Sequence, residues 1–376
     1  MARSAGNDEA QNMNKTNLLK VLWSLVAAMA IFYTGSCLMG TIAQGGPFLI
    51  AFFGLTALAF RGYERLKGFS YTFLIFASVA ASMYYPQYFI AYGDFKLSGL
   101  IVPLLQLIMF GMGTALSWQD FASVVKMPKG VGIGVVCQFT IMPLVGFSLT
   151  KLFGFPAEIA AGIILVGSCP SGLASNVMSF LARANLALSV TLTAFATLLA
   201  PLMTPFLMQT LAGEYVPVEF GKMMLDIIKM VILPIIGGLL FHHFLLEKFR
   251  WLEKVMPLVS MGGIALIIVI ITAAGRDNLL EIGALLMLAT LLHNLTGYFL
   301  GYWSARLLGL PESDCRTVSL EVGLQNGGLA SGLALQMGKL ATVGLAPAIF
   351  GPLMNITGSS LATWWRDKPV PETDTR

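Results

Sequence analysis

GSCPSGLASN, residues 167–176, and GLQNGGLAS, residues 323–331, carry the same tetrapeptide, Gly-Leu-Ala-Ser, directly behind a cluster of helix breakers. The two copies begin at Gly172 and Gly328, 156 residues apart. Each sits in the middle of a long apolar run, where proline or paired glycines oppose a continuous helix. A helix broken inside lipid exposes N–H and C=O groups that cost several kcal/mol each unless something pairs with them. Free amides at a half-helix N-terminus favour an anion, and free carbonyls at the opposite end favour a cation. One break at Pro170 reads equally well as a kink. Two related breaks read as a binding centre.

The surrounding chain supplies the solvent. Of 376 residues, 56% are hydrophobic and only 11% charged, with a mean hydropathy of +0.78. Soluble domains carry about a quarter charged residues, so this chain cannot cover a water-facing surface. That excludes soluble enzymes, disordered scaffolds and secreted disulfide modules and makes the lipid bilayer a partner. A net charge of +4 points to no nucleic-acid partner. Cys37, Cys137, Cys169 and Cys315 are scattered, without metal-ligand spacing. No Walker loop, HExxH, GxSxG or Rossmann glycine pattern stands where it would work. The expectation is a non-enzyme without a cofactor, an all-α polytopic membrane protein.

A span needs about 20 apolar residues, and the chain offers twelve candidates. They are 18–40, 44–60, 71–91, 97–117, 130–153, 158–181, 186–212, 219–246, 255–274, 278–308, 312–338 and 341–365. The second is short and glycine-flanked, so a re-entrant segment is its alternative. With the N-terminus placed in the cytoplasm, seventeen of the 23 basic residues fall on inside segments, Arg61, Arg65, Lys248 and Arg250 among them. Both termini are therefore expected in the cytoplasm, in the inner cell membrane. The first apolar stretch is too long for a signal-peptide core and reads as a retained span. Five spans separate the two tetrapeptides, and an odd offset turns the second copy upside down. This is the arrangement of inverted-topology transporters, whose discontinuous helices meet near the bilayer midplane.

Glu321 stands beside the second break, in TVSLEVGLQNGG. A charge at the bilayer centre costs about 2.5–3.5 kcal/mol on insertion scales, so something must offset it. A salt-bridged or protonated structural acid is one account. A cation ligand is the other, with Gln325 and Asn326 adding hard oxygens. Near the first break stand Ser175 and Asn176, then Ser189 and Thr193, four apart on one face of the next span. Taken singly, each hydroxyl reads as bonded to its own helix. Asp226 and Lys229, three apart, read as a structural pair. His293 and Asn294 lie mid-span, where lining a cavity and bridging helices are equally good readings.

CPSGLASNVMSFLARANLALSVTLT, then LLAPLMTP, LEVGLQNGGLA and NITGSSLATWW, resemble the bile acid:sodium symporter family over about residues 69–365. The resemblance implies ten helices in two inverted five-helix repeats, a core domain with two crossed broken helices and a panel domain that moves against it. It divides the chain into 1–68, a tail with two additional N-terminal spans; 69–366, the ten-helix unit; and 367–376, a cytoplasmic tail. The panel would be 71–117 and 219–274, and the core 130–212 and 278–365. It also implies two sodium sites. The first would be Ser175, Asn176, Ser189, Thr193 and Glu321; the second Gln138, Glu321 and Gln325 with the backbone of Val322 and Leu324. Candidate substrate contacts are Leu173, Asn326, Gly327, His293, Asn294 and Asn355. Relatives often read GGTASN where this chain reads SGLASN, so Leu173 replaces a hydroxyl; Met354 stands where relatives can carry His. The implied activity is sodium symport of an organic anion, bile acid-like or a small carboxylate such as pantoate. The rival readings are a proton-coupled carrier titrating Glu321 and a non-transporting membrane sensor.

Overall fold

The computed structural model describes residues 2–63, 66–245, 249 and 251–369 and is almost wholly helical. Arg65, Lys248, Arg250 and Arg376, which enter the charge argument, and the last seven residues of the expected C-terminal tail lie outside the described residues. By contact the chain divides into two units, Met1–Phe89 and Ile90–Arg376.

The first unit holds α1 (Ala2–Leu38), α2 (Gly46–Phe60) and α3 (Lys67–Tyr84). Helix α2 packs on both neighbours. Phenylalanine rings 53, 60, 73 and 76 fill the α2–α3 seam, with centroids 4.9–6.1 Å apart. A Cβ on Gly46 would meet the Tyr84 ring at 2.7 Å, so glycine sets the depth of that packing. Leu18, Val21, Leu25, Ile31 and Phe32 of α1 are exposed, an apolar surface suited to acyl chains rather than water.

The second unit opens with a hairpin, β1 (Ala91–Tyr92) antiparallel to β2 (Phe95–Lys96), with Ala91 opposite Lys96. Then come α4 (Ile101–Ala115), α5 (Pro128–Phe153), α6 (Ala157–Ser168), α7 (Ala174–Leu181) and α8 (Leu186–Leu207). They are followed by α9 (Phe220–Ile227), α10 (Leu233–Leu245), α11 (Trp251–Ala274) and α12 (Arg276–Leu307). The last are α13 (Glu312–Gly323), α14 (Gly327–Gln336) and α15 (Leu345–Arg366). Helix α10 packs on α4, and α12 on α5, α13 and α15.

Among the described residues eight helical segments are long and apolar enough to cross a membrane: 16–38, 42–60, 97–115, 128–153, 186–212, 220–245, 255–274 and 276–307. The expected span at 71–91 is the shorter apolar helix Gly68–Tyr84, and those at 158–181 and 312–338 are each split in two. Both splits fall inside the breaker clusters. Helix α6 ends at Ser168 and α7 begins at Ala174; α13 ends at Gly323 and α14 begins at Gly327.

One local expectation is met only in part. No ion pair joins Asp226 to Lys229 among the described residues. Residues Ile228–Ile232 form a π turn, and the two charges interact without closing to an ion pair.

Candidate functional site

The two interruptions satisfy each other. Ser171 and Gln325 form an antiparallel bridge. Gly172 N donates to Leu324 O at 3.1 Å, and Asn326 N donates to Pro170 O at 2.9 Å. Side chains take up most of what remains. Gln138 Nε2 donates to Cys169 O at 2.9 Å, Thr204 Oγ1 to Ser168 O at 2.7 Å, and Asn294 Nδ2 to Gly323 O at 2.8 Å. Breaking a helix in an apolar interior requires such partners, and here they come from α5, α8 and α12. Glycine at 172 eases the crossing, because a Cβ there would stand 3.2 Å from Gln325 O.

Glu321, on the last turn of α13 and only 2% exposed, lies against this crossing. Ser171 Oγ donates to its Oε2 at 2.5 Å and Ser189 Oγ to its Oε1 at 2.5 Å. Thr193 Oγ1 is 3.1 Å from Oε1 and 2.9 Å from Oε2. Asn176 Oδ1 faces the same two hydroxyls, Ser189 at 2.9 Å and Thr193 at 3.2 Å. Ser175 Oγ is 3.2 Å from Thr193 Oγ1 and donates to Gly172 O. The five residues expected at the first site therefore meet in one cluster, joined by Ser171. Each hydroxyl has a single proton, yet Ser189 and Thr193 each face both Glu321 and Asn176. Oxygen lone pairs outnumber protons, and that surplus suits a bound cation with hard oxygen ligands.

The residues expected at the second site form an adjoining set. Gln138 Nε2 also reaches Gln325 Oε1 at 3.0 Å, and Gln325 Nε2 donates to Val322 O at 2.6 Å. Among the described residues Gln138 Oε1 is buried without a hydrogen-bond partner. An orphaned carbonyl oxygen beside backbone carbonyls is again a donor set for a hard cation. Leu324 O, already bonded to Gly172 N, keeps a second lone pair. The bonded partners of Glu321 all belong to the first set or to Ser171.

The candidate substrate contacts separate into two groups. Leu173 and Gly327 are partly exposed beside the crossing. Asn326, also beside it, caps α14 by accepting from Leu329 N at 3.0 Å. His293 and Asn294 are fully buried and make the bonds of helix bridges: His293 Nε2 pairs with Met142 O at 2.8 Å, and Thr357 Oγ1 donates to Asn294 Oδ1 at 2.5 Å. Asn355 donates to Gly351 O of its own helix at 2.8 Å. Sequence reasoning from the residues alone missed Gln138 and Ser171, since nothing local distinguishes one glutamine or serine within a span.

Helices interrupted inside an apolar bundle, with a buried polar or charged group at their crossing, recur in secondary transporters. The model of the Sodium Bile acid symporter family matches residues 102–282. The chain is 44% identical to the uncharacterized sodium-dependent transporter YocS of Bacillus subtilis (strain 168), over 72% of its own length and 84% of that protein's. It is 35% identical to the probable sodium/metabolite cotransporter BASS1, chloroplastic, of Arabidopsis thaliana, over 70% of this chain and 65% of that one, just under two thirds. It is 32% identical to the ileal sodium/bile acid cotransporter of Oryctolagus cuniculus, over 62% of this chain and 69% of the relative. The chain belongs to the sodium bile acid symporter family, whose named relatives here are sodium-dependent transporters, and it is a multi-pass membrane protein.

Proposed function

We propose that this protein is a sodium-coupled symporter of an organic anion, a carboxylate, working by alternating access in the inner cell membrane with both termini in the cytoplasm. The observation that carries this reading is the surplus of oxygen lone pairs over protons around Glu321, where Ser189 and Thr193 each face two acceptors. Sodium is the first of two substrates. One ion would bind among Ser175, Asn176, Ser189, Thr193 and Glu321, and a second among Gln138, Gln325, Glu321 and the carbonyls of Val322 and Leu324.

The two ions would offset the charge of Glu321 and hold the unwound links, leaving the N-termini of α7 and α14 to attract the anion. Leu173, Asn326 and Gly327 line that side, while His293, Asn294 and Asn355 support it from neighbouring helices. On this reading α4 to α15 with α3 form ten spans in two inverted repeats, core and panel, and α1 and α2 are additions. The names of the relatives, which couple sodium to a metabolite or a bile acid, support an organic substrate. Leu173 makes the wall less polar than a hydroxyl would.

Two Na⁺ with a monovalent anion move one net positive charge inward, worth roughly 2.3 kcal/mol per 100 mV. A tenfold sodium gradient adds about 1.4 kcal/mol per ion. The total of about 5 kcal/mol supports accumulation of order 10³ to 10⁴.

The test is a thermal-shift screen of purified protein against small carboxylates in sodium or choline buffer, followed by uptake into proteoliposomes. Stabilisation and uptake should require sodium, and Glu321→Ala should abolish both while still inserting. Equal uptake without sodium rejects the reading, and uptake then driven by a pH gradient identifies proton coupling instead.

A further inference from the structure

Ser171 belongs to neither set of residues that the family resemblance assigns to the ions, yet it touches both. Its backbone lies in the link between α6 and α7, paired with Gln325. Two residues back, Cys169 O accepts from Gln138, and Gln138 in turn reaches Gln325. The wall of the second set is therefore built on the strand that carries Ser171. The side chain, only 1% exposed, turns the other way and donates to Glu321 Oε2 at 2.5 Å. Of the other hydroxyls around that carboxylate, Ser189 and Thr193 come from α8 and Ser175 from the first turn of α7. Ser171 is thus the hydroxyl that reaches the carboxylate from the link between α6 and α7, spanning 150 residues of chain in one bond.

We propose that Ser171 is a positioning residue that couples the two sodium sites. The proposal rests on the sodium reading above. By holding Oε2 in one direction, the hydroxyl makes the orientation of the shared carboxylate depend on the position of the Gln325 link. An ion that draws in Gln138, Gln325 and the Val322 carbonyl moves that link, and Ser171 transmits the movement to Glu321. Conversely, an ion among Ser189, Thr193 and Asn176 fixes the carboxylate and, through Ser171, the link. With glycine in this place, the side-chain bond from the link to Glu321 Oε2 would be missing.

The experiment is an equilibrium sodium titration of the purified full-length protein, without substrate, followed by thermal stabilisation and by isothermal calorimetry. Wild type, Ser171→Ala, Ser171→Gly and Glu321→Gln are compared, with melting temperature in sodium-free buffer as the folding control. Loss of a hydrogen bond to a charged group predicts a half-saturating sodium concentration raised about tenfold in both Ser171 variants. The Hill coefficient should fall from near two toward one, a change that loss of packing alone does not produce. Cooperative wild-type binding that both Ser171 variants reproduce overturns the proposal and leaves the sodium reading standing. A wild type that ignores sodium overturns both. Should Ser171→Ala fail to fold, Ser171→Gly decides alone, because its smaller side chain cannot clash.

Discussion

Thr193 shows how tightly the centre is drawn at the scale of one residue. Its hydroxyl lies within 3.2 Å of Glu321 Oε1, Glu321 Oε2, Asn176 Oδ1 and Ser175 Oγ, though it has one proton to give. Thr193→Val keeps the shape and removes the oxygen. It should destabilise the sodium-free protein by about 1–3 kcal/mol, since it leaves buried acceptors unmatched, and should weaken sodium binding further. Chemical denaturation with and without sodium separates the two effects. An unchanged sodium-induced shift would remove Thr193 from the ion site. Gln138 carries the second half of the argument: Gln138→Leu takes away the orphaned oxygen. It should lower sodium stoichiometry from two to one in calorimetry, and retention of two ions would dismiss the second site.

Among the helices, the half-helix α14 depends on the residue that caps it. Asn326 closes the N-terminus by accepting from Leu329 N. Replacing such a cap by alanine costs about 0.5–2 kcal/mol, whereas serine caps nearly as well. Asn326→Ser should therefore keep the melting temperature while weakening the anion, and Asn326→Ala should lose both. Equal anion affinity in all three proteins would show that the residue serves the helix alone. Close packing of α12 on α13 depends on Gly323, where a Cβ would fall 2.1 Å from Tyr298 Cδ1. Gly323→Ala must displace the tyrosine ring or the helix, at a cost of about 1–3 kcal/mol. A melting temperature equal to wild type would mean that the α12–α13 contact is looser than described.

For the whole molecule, the charge ledger is the measurable consequence of two ions on one carboxylate. Uptake into proteoliposomes should accelerate when a potassium diffusion potential makes the interior negative, with one net charge entering per anion. Electroneutral uptake would exclude two sodium ions per monovalent substrate. The chain also has a part to which the centre assigns no role. That part is α1 and α2, which group by contact with α3 through a phenylalanine seam between α2 and α3 and the Trp23 indole donating to the Tyr63 hydroxyl at 3.1 Å.

Much of this was legible in the amino acids because its causes are local. Low charge and long apolar runs require a bilayer wherever the helices end up, and proline with paired glycines stops a helix whatever surrounds it. Glu321 stood out because a lone acid in such a run costs free energy in any arrangement. Pairings between distant segments leave no such mark. That Ser171 meets Glu321, that Gln138 reaches Cys169 and Gln325, and that the two unwound links bond to each other follow only once helices far apart in the chain pack together. The same holds where Asp226 and Lys229 interact without closing to an ion pair, and where His293 and Asn294 become bridges between helices. Composition and breakers are properties of a segment, whereas a hydrogen bond across 150 residues is a property of the packed fold.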